Sequence, residues 1–270
     1  MSEDTALRLD IAVSQKLNIS RIMAKDLIEK EQVSVNGKIS VKSGLKVAVN
    51  ADITVNSFGK MFVSRGGFKL QKAIDEFNIN LENLACMDIG ASTGGFTDCM
   101  LQAGAEKVYA VDSGSNQLKD ELRENPKVIN MENTDIRSLD SGDIEEIDFF
   151  TIDVSFISIS KIIDVVYNLI SPKASGIILI KPQFEAGPGV VNKKGIIKSP
   201  KIHYKTLKLV YNYTVEAGFS VLGICASPIS GGDGNKEFLM YASKGVGGKN
   251  GMDIYAFERI AKELSEADNK

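Results

Sequence analysis

The chain has 270 residues, of which 43% are hydrophobic and 25% charged, and a net charge of -3. This suits one or two domains with a real core and excludes a disordered, fibrous or wholly basic nucleic-acid-binding chain. A single histidine, His203, excludes a two-histidine metal site and makes a Ser-His-Asp hydrolase a poor match; Cys86, Cys99 and Cys225 form no CxxC pair, which speaks against a disulfide scaffold or a zinc site and fits a reducing cytoplasm.

Charge is unevenly spread. Residues 1–70 hold 11 Lys and Arg against 7 Asp and Glu, and the rest holds 21 against 28, so a mildly basic head precedes an acidic body. Met1-Ser2-Glu3-Asp4 is acidic with no apolar run behind it, unlike a signal peptide, and the longest apolar stretch, 176–180, is too short to cross a bilayer.

In the head, residues 8–17 read as a short amphipathic helix. Ser20 is placed to N-cap a second helix over 21–31, whose apolar face is Ile22, Met23, Leu27 and Ile28. Arg21 and Lys25 lie four apart on one side of it. Val33-Ser34-Val35 alternates as a strand, Asn36-Gly37 is a type I′ hairpin signal, and short strands continue from 38 to 55. Residues 56–60 read as a linker.

After Arg65-Gly66-Gly67 strands and helices alternate. Strands are expected at 85–89, 107–111, 128–130, 149–152, 176–180, 220–226 and 237–243. Helices are expected at 69–77, 96–103, 116–124, 161–169, 200–217 and 253–267. Apolar strands separated by helices predict an α/β fold with a mostly parallel, seven-stranded sheet covered on both faces.

The strongest local signal is Met87-Asp88-Ile89-Gly90-Ala91-Ser92-Thr93-Gly94-Gly95-Phe96, which ends the first of these strands and opens a helix. Glycines there allow a ligand close to the backbone, and the helix start offers free N–H groups. The spacing is not GxGxxG, and no GK[ST] follows, so neither a dinucleotide fingerprint nor a P-loop is present. Asp112 closes the next strand, where an acid can accept hydrogen bonds from both ribose hydroxyls of an adenosine-bearing cofactor, or serve as a loop aspartate or helix cap. Asp135, after the third strand, suits an adenine amino group or a helix cap equally. Asp153 and Lys181 end two apolar strands and should enter one crevice at the carboxyl edge of the sheet. Lys69 and Glu237 also fall at element edges. A lysine flanked by carboxylates can orient or deprotonate a hydroxyl, and ordinary ion pairs are the alternative. His203, at the start of a long helix, reads as structural. Residues 187–195 read as a loop that either closes over substrate or is simply a long connection.

These residues together resemble the TlyA (hemolysin A) family of ribosomal RNA 2′-O-methyltransferases. The resemblance rests on Arg8-Leu9-Asp10 with Ser20-Arg21, Val33-Ser34-Val35-Asn36-Gly37, Ser64-Arg65-Gly66-Gly67-Phe68-Lys69-Leu70 and Asp88 through Asp98. Lys181-Pro182-Gln183-Phe184-Glu185 and Gly234-Asn235-Lys236-Glu237 add to it. The head resembles an S-four-type RNA-binding domain and the body the FtsJ-like methyltransferases. The resemblance implies a small α+β RNA-binding domain at 6–56, a linker at 57–63, and a Rossmann-like methyltransferase domain at 64–267. It implies a tetrad of Lys69, Asp153, Lys181 and Glu237, with Lys181 held by Asp153 and Glu237 and Lys69 stabilising developing charge.

It further implies that S-adenosylmethionine is bound by Asp88, Gly90, Ala91, Ser92, Thr93, Gly94, Gly95, Phe96, Asp112 and Asp135, with no metal. Where the family is expected to carry Thr-Asn-Ile-Arg, this chain has Thr134-Asp135-Ile136-Arg137. Ribosomal RNA in the small or large subunit, or both, is the implied partner in the cytoplasm, met through Arg8, Arg21, Lys25, Lys38, Lys42 and Arg65. Two other readings stand beside this one: a non-catalytic RNA-binding ribosome-assembly factor, which would not bind S-adenosylmethionine, and a membrane-active cytolysin, as the family's older name suggests.

Overall fold

The computed structural model describes residues 6–17, 21–55, 62–187, 189–192, 194–231, 234–245 and 251–267, without the side chains of Ile22 and Met23. The expected Ser20 cap, the Ile22 and Met23 part of the second helix's apolar face, most of the expected linker, and positions 188 and 193 of the expected loop lie outside the described residues. The chain divides into two compact units, Met1–Arg65 and Gly66–Lys270.

The first unit runs β1 (Leu7–Arg8), α1 (Leu9–Leu17), α2 (Arg21–Glu29), β2 (Val33–Val35), β3 (Lys38–Ile39), β4 (Lys46–Val47) and β5 (Ile53–Val55). The first helix starts one residue later than expected because Arg8 pairs with Lys46 in a two-residue ladder. The second stops at Glu29, short of 31, where Glu31 turns left-handed at φ +60°. Asn36 and Gly37, at φ +51° and +76°, make the type I′ turn that sets Val35 opposite Lys38. Leu9, Val13, Ala24, Ile28, Val33, Val47 and Ile53 form this unit's own core.

The second unit comprises α3 (Gly66–Phe77), β6 (Ala85–Ile89), α4 (Gly95–Gln102), β7 (Lys107–Asp112), α5 (Asp120–Arg123), β8 (Val128–Glu132), β9 (Ile147–Ile152), α6 (Ile163–Leu169), β10 (Ile170–Ile180), α7 (Pro182–Glu185), α8 (Pro200–Glu216), β11 (Ser220–Ala226), β12 (Phe238–Ser243) and α9 (Ile254–Glu266). Its sheet has seven strands in the order β11-β12-β10-β9-β6-β7-β8. Every pairing is parallel except those of β12, which runs antiparallel to both β10 and β11. Strands buried on both faces need near-continuous apolar sequence, which β9 and the second half of β10 supply. Ile89, Val111, Phe150, Ile178 and Met240 pack with Val166, Leu207, Val210 and Phe257 of α6, α8 and α9 in one core. Each such side chain contributes about 1.5–3 kcal/mol by leaving water.

Two expected elements differ most in extent, and one helical turn is new. The helix over 116–124 shrinks to Asp120–Arg123, because Glu132 Oε1 accepts the Gln117 and Leu118 N–H groups and Asn116 sits at φ +54°. The strand over 176–180 begins at Ile170, which pairs with Ile147. The short α7 has no counterpart in the sequence reading.

From β6 the chain steps outward through β7 and β8; from β9 it steps the other way to β10. The direction of winding thus reverses between β6 and β9, and in such sheets the carboxyl ends of the strands there leave a crevice.

Candidate active site

A cavity of about 540 Å³ occupies that crevice, walled by residues after β6, β7, β8 and β9. Gly90 makes the close approach between the first and last of these loops. Its φ is +87°, and a Cβ there would lie 2.6 Å from the carbonyl oxygen of Asp153. Ser92, left-handed at φ +47°, donates its N–H to Asp112 Oδ2 at 2.8 Å, and Gly114 donates to Asp112 Oδ1 at 2.7 Å. Asp112 therefore pins two loops. A carboxylate offers about four lone-pair sites, so it keeps capacity for two more donors on the cavity wall.

The expected cofactor residues separate into two groups. Gly90, Ser92, Asp112 and Asp135 line the cavity; Asp88, Ala91, Thr93, Gly94, Gly95 and Phe96 lie off its wall. Asp88 stands apart among these. It sits inside β6, fully buried, opposite Thr151 of β9, and accepts from Thr151 Oγ1 at 2.9 Å and Thr97 Oγ1 at 2.6 Å. It anchors the first turn of α4 from below.

Burial, its largest influence, pushes the Asp88 carboxyl from its ordinary 3.8 up to about 6, against the pull of the two threonines. The folded chain therefore takes up this proton before the unfolded chain does. The resulting stabilisation is complete below pH 3.8 and is lost as pH rises through about 6. The gap corresponds to about 3 kcal/mol. Asp88→Asn should flatten the dependence of Tm on pH between 4 and 6 relative to the unaltered chain; identical slopes would refute the assignment.

Asp135 lines the cavity as a cap. It accepts the Arg137 N–H at 2.9 Å and pairs with the Arg137 guanidinium through both oxygens, which holds its carboxyl down at about 2. Of the two expected roles, the helix cap is the one its geometry displays.

The four expected ionisable residues form two pairs, with Asp153 on the cavity wall and the other three off it. Lys181 Nζ lies 2.6 Å from Asp153 Oδ1 and donates to Ser155 Oγ at 2.9 Å; Lys69 Nζ lies 2.6 Å from Glu237 Oε2. All four side chains are largely buried, from 3% exposed at Glu237 to 19% at Asp153. Register explains their common edge. Ile152 opposes Ile178, and Ile180 opposes Phe238, so Asp153 and Lys181 leave their strands where Glu237 enters the reversed β12. Glu237 was expected to hold Lys181. It pairs with Lys69 of α3 instead, its other oxygen lying against Gly231, where a Cβ would come within 2.6 Å.

Ser155, Arg137, Gln117 and Thr134 at the site were not foreseen. Ser155 and Arg137 each stand two residues beyond a recognised acid, which was the available signal. His203 is buried among α8 and β12, with Nε2 3.2 Å from the Ile197 carbonyl, and borders a separate cavity of about 320 Å³.

In the first unit, Arg8 and Arg21 both bind the buried Asp10, Arg8 through Nε and Nη2 and Arg21 at 2.8 Å. The Arg8 hydrogen bonds above all hold the Asp10 carboxyl well below the usual carboxylate range. Both guanidinium side chains stay half exposed. Lys25 pairs loosely with Glu29 at 3.5 Å; Lys38 and Lys42 are exposed, and Arg65 is partly buried.

Residues 62–244 match the family described as FtsJ-like methyltransferase. The chain is 41% identical to a Bacillus subtilis protein provisionally named rRNA methyltransferase YqxC, over 96% of this chain and 93% of that one. It is 35% identical to the 16S/23S rRNA (cytidine-2′-O)-methyltransferase TlyA of Mycobacterium tuberculosis, over 85% and 86% of the two chains. A solved Streptococcus thermophilus structure, provisionally named a hemolysin, is 37% identical with a TM-score of 0.73, over 97% and 95% of the chains.

Proposed function

The chain belongs to the TlyA group of FtsJ-like methyltransferases, and on that premise we propose that it methylates the ribose 2′-oxygen of a cytidine in ribosomal RNA, using S-adenosylmethionine. The observation that carries this reading is the pair of buried lysine–carboxylate contacts at the sheet edge beside the switch-point cavity. A binding module has no use for two buried ammonium groups at that edge, because each must be removed from water.

The cavity fits the cofactor. Its volume lies within the usual range for small-molecule sites. The Gly90 position leaves backbone room that a side chain would fill, and Asp112 retains acceptor capacity for ribose hydroxyls. When bound, S-adenosylmethionine supplies a methyl group already activated by positive sulfur. The protein's task is then placement, which can remove several kcal/mol of barrier without further chemistry. Asp153 and Ser155 fix Lys181, whose ammonium group orients the target 2′-hydroxyl. Glu237 fixes Lys69, whose charge offsets negative charge gathering on that oxygen.

The first unit serves as the S-four-type RNA-binding domain, with the FtsJ-like part following it. Structured RNA is read by shape and backbone, so a folded subunit suits the site better than a short oligomer, and the cytoplasm is where it is met. Arg8 and Arg21 both hold the unit together through Asp10 and offer charge to phosphates; Lys38 and Lys42 offer charge alone. Changing Lys38 and Lys42 together to alanine should weaken rRNA binding and reduce the slope of log K against log salt by about 1 for each phosphate no longer neutralised. Binding titrations across a salt series measure this, and an unchanged slope removes both lysines from the interface.

No helix among the described residues is long and apolar enough to cross a membrane. The overall reading is tested by methyl transfer from radiolabelled S-adenosylmethionine to separated small and large subunits, followed by mapping of the modified nucleotide. Label at a cytidine ribose in either subunit is expected. Label on a base, or none on either subunit, would overturn the proposal.

A further inference from the structure

Glu185 is a buried carboxylate that the reaction leaves unused. It closes α7, the single helical turn after Lys181, and is 8% exposed. Its Oε2 accepts from Ser158 Oγ at 2.7 Å and its Oε1 from the Ile159 N–H at 2.8 Å. Ser158 and Ile159 lie a few residues beyond Asp153 and Ser155, the two groups that hold the Lys181 amine.

The segments after β9 and β10 are thus joined at both ends. Lys181 reaches Asp153 and Ser155 at one end, and Glu185 reaches Ser158 and Ile159 at the other. Between these, the Phe184 and Phe156 rings meet at 4.9 Å. Pro182 keeps its predecessor extended, and Lys181 accordingly sits at φ -109°, ψ 98°. With that backbone set and α7 only one turn long, the position of Glu185 dictates where the Lys181 side chain begins. An apolar residue would fill the Glu185 site without carrying a carboxylate out of water. Burial indeed pushes this carboxyl above its ordinary value.

Building on the methyltransferase reading, we infer that Glu185 is a positioning residue that fixes Lys181 against the Asp153–Ile159 segment. Glu185→Gln keeps the size and loses one of the two acceptors; Ser158→Ala removes the hydrogen bond to Glu185 from the other side, together with those Ser158 Oγ makes to the Ser160 N–H and Oγ.

The test labels the full-length protein with an amine-acylating reagent and reads Lys181 against Lys69 by mass spectrometry. This readout needs no substrate. Glu185→Gln should raise the Lys181-to-Lys69 labelling ratio several-fold, and Ser158→Ala should raise it less. In the methyl-transfer assay, Glu185→Gln should lower kcat by about tenfold and leave KM for rRNA and affinity for S-adenosylmethionine unchanged.

A ratio at the unaltered level in both variants overturns the inference, as does an equal rise at both lysines, which is general loosening. Should Glu185→Gln fail to fold, the ratio in Ser158→Ala decides. Should the unaltered chain transfer no methyl group, the function reading falls while the ratio still decides the role of Glu185.

Discussion

Lys181→Ala is expected to lose methyl transfer by about 10²-fold or more, the cost of misplacing the attacking hydroxyl, while binding S-adenosylmethionine within about twofold of the unaltered chain. The separation follows from placement. Lys181 stands beside the cavity, paired with Asp153 and Ser155, and is not part of the cavity wall. Lys181→Arg should restore little, because a planar fork cannot reproduce a compact ammonium group 2.6 Å from one carboxylate oxygen. Labelled transfer to ribosomal subunits together with calorimetric cofactor titration makes the comparison. Retained turnover in the alanine variant would remove Lys181 from the reaction.

Gly90→Ala should damage stability and activity together. The residue sits at φ +87°, and the atom its new Cβ would meet, at 2.6 Å, is the backbone carbonyl oxygen of Asp153. Left-handed backbone costs about 1–2 kcal/mol for an L side chain, and forcing atoms into a packed site about 1–3 more. A loss of about 2–5 kcal/mol corresponds to a Tm lower by roughly 4–20 °C for a unit of this size. A flexible side chain could yield at small cost; a carbonyl carried by β9 cannot, so Asp153 and its hold on Lys181 move with it. Gly142→Ala, where a Cβ meets nothing within 4 Å, is the control and should be near neutral. Thermal unfolding and the transfer assay on both variants decide it, and a Gly90→Ala protein with unaltered Tm and turnover would show that the two loops are not in contact.

Much of the frame was legible because local chemistry and final structure agree. Strands 85–89 and 220–226 appear with the bounds their composition suggests. Asn36-Gly37 turns as its dipeptide requires. What stayed hidden depends on partners distant in sequence. Residues 116–119 carry helical spacing, yet Glu132 takes two of their N–H groups. Asp88 and Asp112 look alike on paper; one lies within its strand and points into the protein, the other ends its strand at the cavity. Grouping Lys69, Asp153, Lys181 and Glu237 needed family resemblance. Which amine meets which acid needed the register of β12, and Glu237 turned out to belong to Lys69. In the head, Asp10 between two arginines was the missed sign that Arg8 and Arg21 do structural work as well.

The strand order carries a consequence for how the molecule is made. Of the sheet's seven described strands β12 comes last in the chain, yet it lies inside the sheet, between β10 and β11. Until residue 243 clears the ribosomal exit tunnel, the Ile177–Ile180 flank of β10 has no neighbour on that side, and bare apolar edges invite pairing with other chains. Glu237 arrives with the same strand. A nascent copy therefore lacks the acid that pairs with Lys69, one of the four ionisable residues proposed for the site, until β12 has emerged.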